Sequence, residues 1–418
     1  EFQSNTTNRY NVSIGNFAGQ RAIGTSNVHI GHEAGQNASG SNNIFIGYEA
    51  GTGGTTSAPF SSGENNVAVG SDALKGFTTG YSNVAIGRQA GDAITTGFKN
   101  IAIGHGALTS DDVGAAHIAI GAEALILQNF ASANSEFESN ISIGNKSSYN
   151  NSTGNMNTVV GTAAKYTDDE GNQTTAIGFQ AMYSQNMASS TTTANVGVGH
   201  KVGYHNVTGT QNTWLGYQAG SGASGQSNSS NVGIGYQALT SITTGGSNVA
   251  VGYNALDAAT TVNNSVAIGV NAMGAVPSGQ AVEYAVAVGT NALLGGGSTT
   301  TGINGTTAVG FGAGYSLTTG GNNTFLGYNA GYTATTGGEN TIVGRHAGNK
   351  IDKGSDNAFL GYSAGHYTTG SNNTFVGSEA GKGGTTSAPY SSGEKNVAVG
   401  SEALKAFTTG QQNIAIGY

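Results

Sequence analysis

One short phrase returns from one end of this chain to the other: Asn, a β-branched residue, a small or aromatic residue, Ile, Val or Leu, then Gly. Asn83-Val84-Ala85-Ile86-Gly87, Asn323-Thr324-Phe325-Leu326-Gly327 and Asn413-Ile414-Ala415-Ile416-Gly417 are clear copies, and a tail of x-x-Ala-Gly or x-x-Ala-Leu commonly follows. Indexed by the closing Gly, 23 copies run from Gly15 to Gly417. Most intervals are 16 or 17 residues and the longer ones run from 19 to 23. A fixed period with occasional additions is the mark of a solenoid whose insertions leave at its corners.

The alternation inside each phrase is that of a strand. A period of 16 or 17 residues is too short for a strand, a helix and a second strand, so each coil is built from short strands and tight turns. Stacked coils then pair equivalent strands in parallel. The chain therefore reads as all-β: a parallel β-solenoid of about 23 coils, continuous over residues 1–418. At roughly 4.8 Å per coil this gives an expected rod of about 110 Å. Insertions are expected at 52–62, 126–137, 184–193, 221–229, 274–284, 294–304 and 382–392. Residues 122–130 are the one stretch that favours a short helical turn.

Each position of the phrase carries an expectation. Val84 and Ile86 form a buried spine, with Ala85 facing the other way. The opening Asn is present in 18 of 23 copies and is replaced at His117, Thr174, Ser265, Ala285 and Thr306. Asn83, Asn100, Asn212, Asn248, Asn323, Asn357 and Asn413 represent a structural column whose amides bond along the axis. The middle residue varies most, and Phe45, Trp214, Phe325, Phe359 and Phe375 are large. Facing outward, these five would form a subunit-contact column; facing inward, they would line the coil. Thr-Thr-Gly, as at Thr78-Thr79-Gly80 and Thr318-Thr319-Gly320, marks a second turn, and its Thr pair fits a short second strand or the exit of one.

A longer period overlies the short one. Residues 51–88 and 381–418 align without gaps at an offset of 330, with 29 of 38 positions identical. The chain opens at Glu1 without an initiator Met, which points to a processed chain or a window on a longer fibre. Two of its three prolines, Pro59 and Pro389, lie in the duplicated insertion.

The six residues Asn264-Ser265-Val266-Ala267-Ile268-Gly269, with Asn65-Asn66-Val67-Ala68-Val69-Gly70 as a close variant, resemble the head repeats of trimeric autotransporter adhesins. The longer unit, as in Asn323 to Gly331, is similar to repeats of phage tail fibres and tail-fibre-like surface proteins. The resemblance implies a left-handed parallel β-roll that trimerises. It covers essentially the whole chain, although the period here exceeds that of adhesin heads.

Composition narrows the chemistry. Gly is 71 of 418 residues and charged residues are 9%. The net charge of −8 comes without a basic cluster, which argues against nucleic acid. There is no Cys and no apolar run of membrane-spanning length. Asp111-Asp112 and Asp168-Asp169-Glu170 read as solvated turns. His29 with His32, and His200 with His205, are the closest histidine pairs; no metal, cofactor or catalytic residue is assigned. The expected role is a non-catalytic fibre for attachment, outside the cell, on a cell surface or on a virion. Its partners would be further copies of itself, as a homotrimer or an end-to-end polymer, and surface glycans. Phe60, Phe130 and Tyr390 are the candidate ligand contacts on insertions. A tail fibre that degrades glycans and an ice-binding solenoid using the Thr pairs are the alternatives.

Overall fold

The computed structural model describes all residues except 1–9, 56–58, 131–135, 137–138, 278, 281, 297–299 and 385–386. Parts of the insertions expected at 52–62, 126–137, 274–284, 294–304 and 382–392 therefore lie outside the described residues. The chain forms two compact units, Glu1–Gln211 and Asn212–Tyr418. Each is a parallel β-solenoid. The first holds eleven phrase strands, from Val12–Ile14 to Val196–Val198, and the second twelve, from Thr213–Leu215 to Ile414–Ile416.

Every phrase strand is three residues long and pairs in register with its equivalent one coil away. Val84, Ala85 and Ile86 lie against Ile101, Ala102 and Ile103; Thr341, Ile342 and Val343 lie against Ala358, Phe359 and Leu360. A small second sheet pairs Gly171–Asn172 with Thr191–Thr192, using the end of one insertion. Thr-Thr-Gly forms bends rather than a strand, with the Thr78 N–H and the Gly80 N–H both donating to the Thr95 carbonyl. Residues 122–130 form turns and no helix. The reason is local: Glu123 at φ 58° and Leu125 at φ 49° are left-handed, which breaks any helical run.

Left-handed residues recur along the chain, before most of the phrase-opening residues and two and four residues after the phrase Gly. Each costs a non-Gly residue on the order of 1–2 kcal/mol. Inter-coil hydrogen bonds hold them in place: the N–H groups of Ser82, Gln89 and Leu108 donate to Glu64, Ser71 and Ala124 at 2.9–3.0 Å. The phrase Gly is a different case. At Gly87, φ is 130°, and a Cβ would sit 2.6 Å from the carbonyl oxygen of Gly104 in the next coil. Only Gly permits that approach.

The facing of the strand is the reverse of the expected one. The middle residue points inward and the flanking Val, Ile, Thr or Leu points out. Phe45, Phe325, Phe359 and Phe375 are fully buried and Trp214 nearly so, while Ala85 and its equivalents are buried with them. Ile86, Leu326 and Leu360 are exposed. These five large residues line the coil and are closed to another subunit. Period-two alternation fixes which residues share a face, but gives no sign of which face is inside.

Inside the coil, volume is matched across six residues. Where the middle residue is large, the tail ends in Gly: Phe45 with Gly51, Trp214 with Gly220, Phe325 with Gly331, Phe359 with Gly365, Phe375 with Gly381. A Cβ built at any of these glycines falls against the ring of its partner. Where the middle residue is Ala, the tail most often ends in Leu or Met, as with Ala102 and Leu108 or Ala267 and Met273, all buried; at Ala308 the tail ends in Gly314, whose missing Cβ leaves room for Phe325 and Leu293 of the adjoining coils. Coil 83–99 keeps both Ala85 and Gly91 small in its core, and Ile94 fills the space, 1% exposed. Constant volume per layer is what a close-packed interior one side chain thick requires.

Candidate functional site

The Asn column is a ladder. Asn83 accepts the backbone N–H of Asn100 on Oδ1 (2.9 Å) and donates from Nδ2 to the Gly97 carbonyl (2.9 Å). Asn100 repeats this with the His117 N–H and the Gly114 carbonyl. In the second unit the N–H of Asn340 donates to Asn323 Oδ1, that of Asn357 to Asn340, that of Asn373 to Asn357 and that of Asn413 to Asn396. Asn212 accepts from Asn231, and Asn248 donates from Nδ2 to the Val262 carbonyl. One amide thus serves an N–H and a turn carbonyl that the coil itself leaves unpaired. The replacements keep the acceptor: His117 Nδ1 takes the Asn140 N–H (3.0 Å) and Ser265 Oγ takes the Ala285 N–H (3.2 Å). Ala285 has no acceptor, and the next N–H in line, that of Thr306, turns back to Ile303 in its own coil.

A second inward column lies seven residues after the phrase Gly. It is apolar at Phe77 and Ile94, polar through Asp111, Gln128, Asn151, Asp168, Gln185 and Asn206, and apolar again at Ile242, all buried. The acidic pair and triplet read as solvated turns are thus each split, with Asp111 and Asp168 turned into the coil. The signal was present in the sequence as a column six coils long, visible once residues are indexed from the phrase Gly.

The polar stretch is a connected network. Asn140 Nδ2 and Asn151 Nδ2 both donate to Gln128 Oε1. Asn151 Oδ1 accepts from Lys165 Nζ at 3.1 Å, and Lys165 Nζ lies 3.0 Å from Asp168 Oδ2. Gln185 Nε2 donates to Asp168 Oδ2 at 2.6 Å, and Met187 N–H to Asp168 Oδ1 at 3.0 Å. Asn195 Nδ2 closes the chain on Gln185 Oε1. Lys165 occupies the tail position that holds Gly, Leu, Met or Ser in other coils, and both its side chain and that of Asp168 are 0% exposed. Burial lowers the Lys165 ammonium below its ordinary value, against the attraction of Asp168.

Asp111 and His117 sit at the edge of this network. Asp111 Oδ1 accepts the Gly114 N–H, while Oδ2 faces His117 Nε2 at 3.6 Å, beyond hydrogen-bond reach. Burial pushes Asp111 up to about 7 and His117 down to about 4. The Asp111 contribution to stability is therefore full below the unfolded carboxyl value of 3.8 and is lost as pH rises toward 7. Asp111→Asn is expected to match the parent near pH 4 and to exceed it by roughly 2–4 kcal/mol at pH 8. Denaturant midpoints at both pH values test this; an equal difference at the two would show that Asp111 does not titrate between them.

Outside, the first and third strand residues join the residue after the phrase Gly in one face. Leu326, Leu360, Tyr328 and Tyr362 are 46%, 51%, 46% and 48% exposed. Aromatic side chains on neighbouring coils stack: Tyr217 on Tyr236 and Tyr236 on Tyr253 at 5.1 and 5.2 Å, nearly parallel. A four-ring ladder runs Tyr149, Tyr166, Tyr183, Tyr204. Ring faces inside these ladders are covered by one another, leaving edges and hydroxyls outward.

The candidate insertion contacts are half-buried, with their rings against other side chains of the chain. Arg21 lies over Phe60 at 5.6 Å, His117 stacks on Phe130, and Tyr367 stacks on Tyr390. His29 is buried inside the coil while His32 stacks on Tyr48 outside, so that pair does not converge. His200 stacks on Phe179 while His205 meets Tyr204 edge-on. Among the described residues no group of three His, Cys, Asp or Glu is placed to hold a metal. No helix among them is long and apolar enough to cross a membrane. The hydroxyls of Thr78, Thr95, Thr243 and Thr318 donate to carbonyls one coil on. Comparison of the chain with protein-family models and with curated proteins matches none of them.

Proposed function

We propose that this chain is a non-catalytic structural fibre module for attachment outside the cell, on a cell surface or a virion, and that it works in assemblies of its own copies. The outer sheet face supports this reading most. At Leu215 with Tyr217, Leu326 with Tyr328 and Leu360 with Tyr362 an aliphatic residue at the third strand position and a Tyr two residues on both stay in water, and Tyr48, Tyr236, Tyr253 and Phe311 add to the same outer column. Soluble monomers rarely leave so repetitive an apolar face uncovered. A second copy carries the same columns at the same spacing, so self-association repeats one contact many times and gains avidity without a tight single site. Three copies is the number that the resemblance to adhesin heads implies.

Molar mass by light scattering tests the reading. The parent chain is expected to run as a multimer, and Leu326→Lys with Leu360→Lys to shift the association midpoint by at least tenfold toward monomer. A parent that stays monomeric at tens of micromolar would remove the assembly reading.

A further inference from the structure

We propose that Lys165 and Asn151 become joined by an isopeptide bond, formed by the protein itself with Asp168 as proton carrier, and that this staples two neighbouring coils of the first unit. The three side chains meet in one dry place. Lys165 Nζ is 3.1 Å from Asn151 Oδ1, one bond from the carbon to be attacked, and 3.0 Å from Asp168 Oδ2. Asn151, Lys165 and Asp168 are all fully buried. Asn151 is held with its Nδ2 donating to Gln128 Oε1 and to the Gly154 carbonyl, so the amide is fixed while the amine reaches its oxygen side. Lys165 is held from its other end by a backbone bond, its N–H donating to the Ala181 carbonyl.

The chemistry balances with these groups alone. Lys165 passes one proton from Nζ to Asp168 and becomes a neutral amine. A dry site aids this transfer by replacing two buried charges with none, against the hydrogen bonds from Gly171, Gln185 and Met187 that hold Asp168 as the carboxylate. The amine lone pair attacks Asn151 Cγ and forms the Nζ–Cγ bond. Asp168 then gives its proton to Nδ2, on the same carbon as the attacking nitrogen, and takes a second proton from Nζ. The Cγ–Nδ2 bond breaks and ammonia leaves. What remains is a neutral amide beside a neutral carboxylic acid, with no change in oxidation state. Proximity does most of the work, because groups fixed in contact react as though at very high concentration. The event occurs once per chain, so it is compatible with a protein that turns over no substrate.

The test is the intact mass of the denatured full chain. The parent is expected to be lighter than its sequence by one ammonia. Cyanogen bromide cuts after Met156 and Met182, separating Asn151 from Lys165 in sequence, and the fragments 1–156 and 157–182 should stay joined. Lys165→Leu places at this position the residue that Leu108 and Leu125 already supply elsewhere, and should restore the full mass. A parent of full mass overturns the proposal without any variant. Loss of ammonia that persists in Lys165→Leu also overturns it, because cyclisation at a site such as Asn304-Gly305 would then be the source.

Discussion

Replacing Phe359 by Ala should cost about 3–5 kcal/mol, and replacing Gly365 by Leu in the same chain should return much of it. The first figure is the ordinary cost of emptying a buried aromatic site. Phe359 has 0% exposure and stacks on Phe375 with ring centroids 5.0 Å apart, so little around it can collapse into the void. The rescue follows from the volume match between middle and tail residues. Gly365 is at φ 61°, and its missing Cβ is the space the Phe359 ring occupies. Seven other coils carry Leu at this tail position in the same left-handed conformation, for instance Leu239 at φ 55° and Leu256 at φ 52°. Gly365→Leu alone should destabilise by about 1–3 kcal/mol through overpacking. The pair should therefore be coupled by about 3 kcal/mol or more, read as a double-mutant cycle in denaturant. Strict additivity would mean that the coils do not hold their core volume constant.

Asn340→Leu should be of similar size by a different route. Its side chain accepts the Asn357 N–H at 3.0 Å and donates to the Gly354 carbonyl at 2.9 Å. Leu fills the space but leaves both backbone groups buried and unpaired, at about 1–3 kcal/mol each, so roughly 2–6 kcal/mol in all. Asn340→Ser separates the two bonds. Ser265 already shows that a hydroxyl can accept the N–H of the next coil, at 3.2 Å. The Ser variant should keep the acceptor, lose the donor to Gly354, and fall between parent and Leu. Equal losses for Ser and Leu would show that the accepted N–H contributes nothing. Protection of the Asn357 amide from hydrogen exchange gives an independent reading, since it should drop in the Leu variant more than in the Ser variant.

The period, the short strands, their parallel stacking and the corner insertions are all legible from the phrase. The reason is that each is a property of one coil repeated, and repetition averages away local ambiguity. Asn-x-x-x-Gly also names its own chemistry, because a neutral amide both donates and accepts at a buried turn, with its two groups far enough apart to reach successive coils. What only the tertiary structure decided is direction. Whether Val84 and Ile86 or Ala85 faced inward could not follow from alternation alone, and the larger, more apolar residues were the natural choice for a core. The coil is too narrow for two large residues in each strand. It admits one side chain per strand and leaves the wider Val, Ile and Leu columns outside. The same limit explains the pairing of Phe359 with Gly365 and of Ala102 with Leu108, and it is why Lys165 and Asp168 meet other polar groups instead of water. Distances along the sequence set the columns, but the width of the closed coil determines what each column encloses.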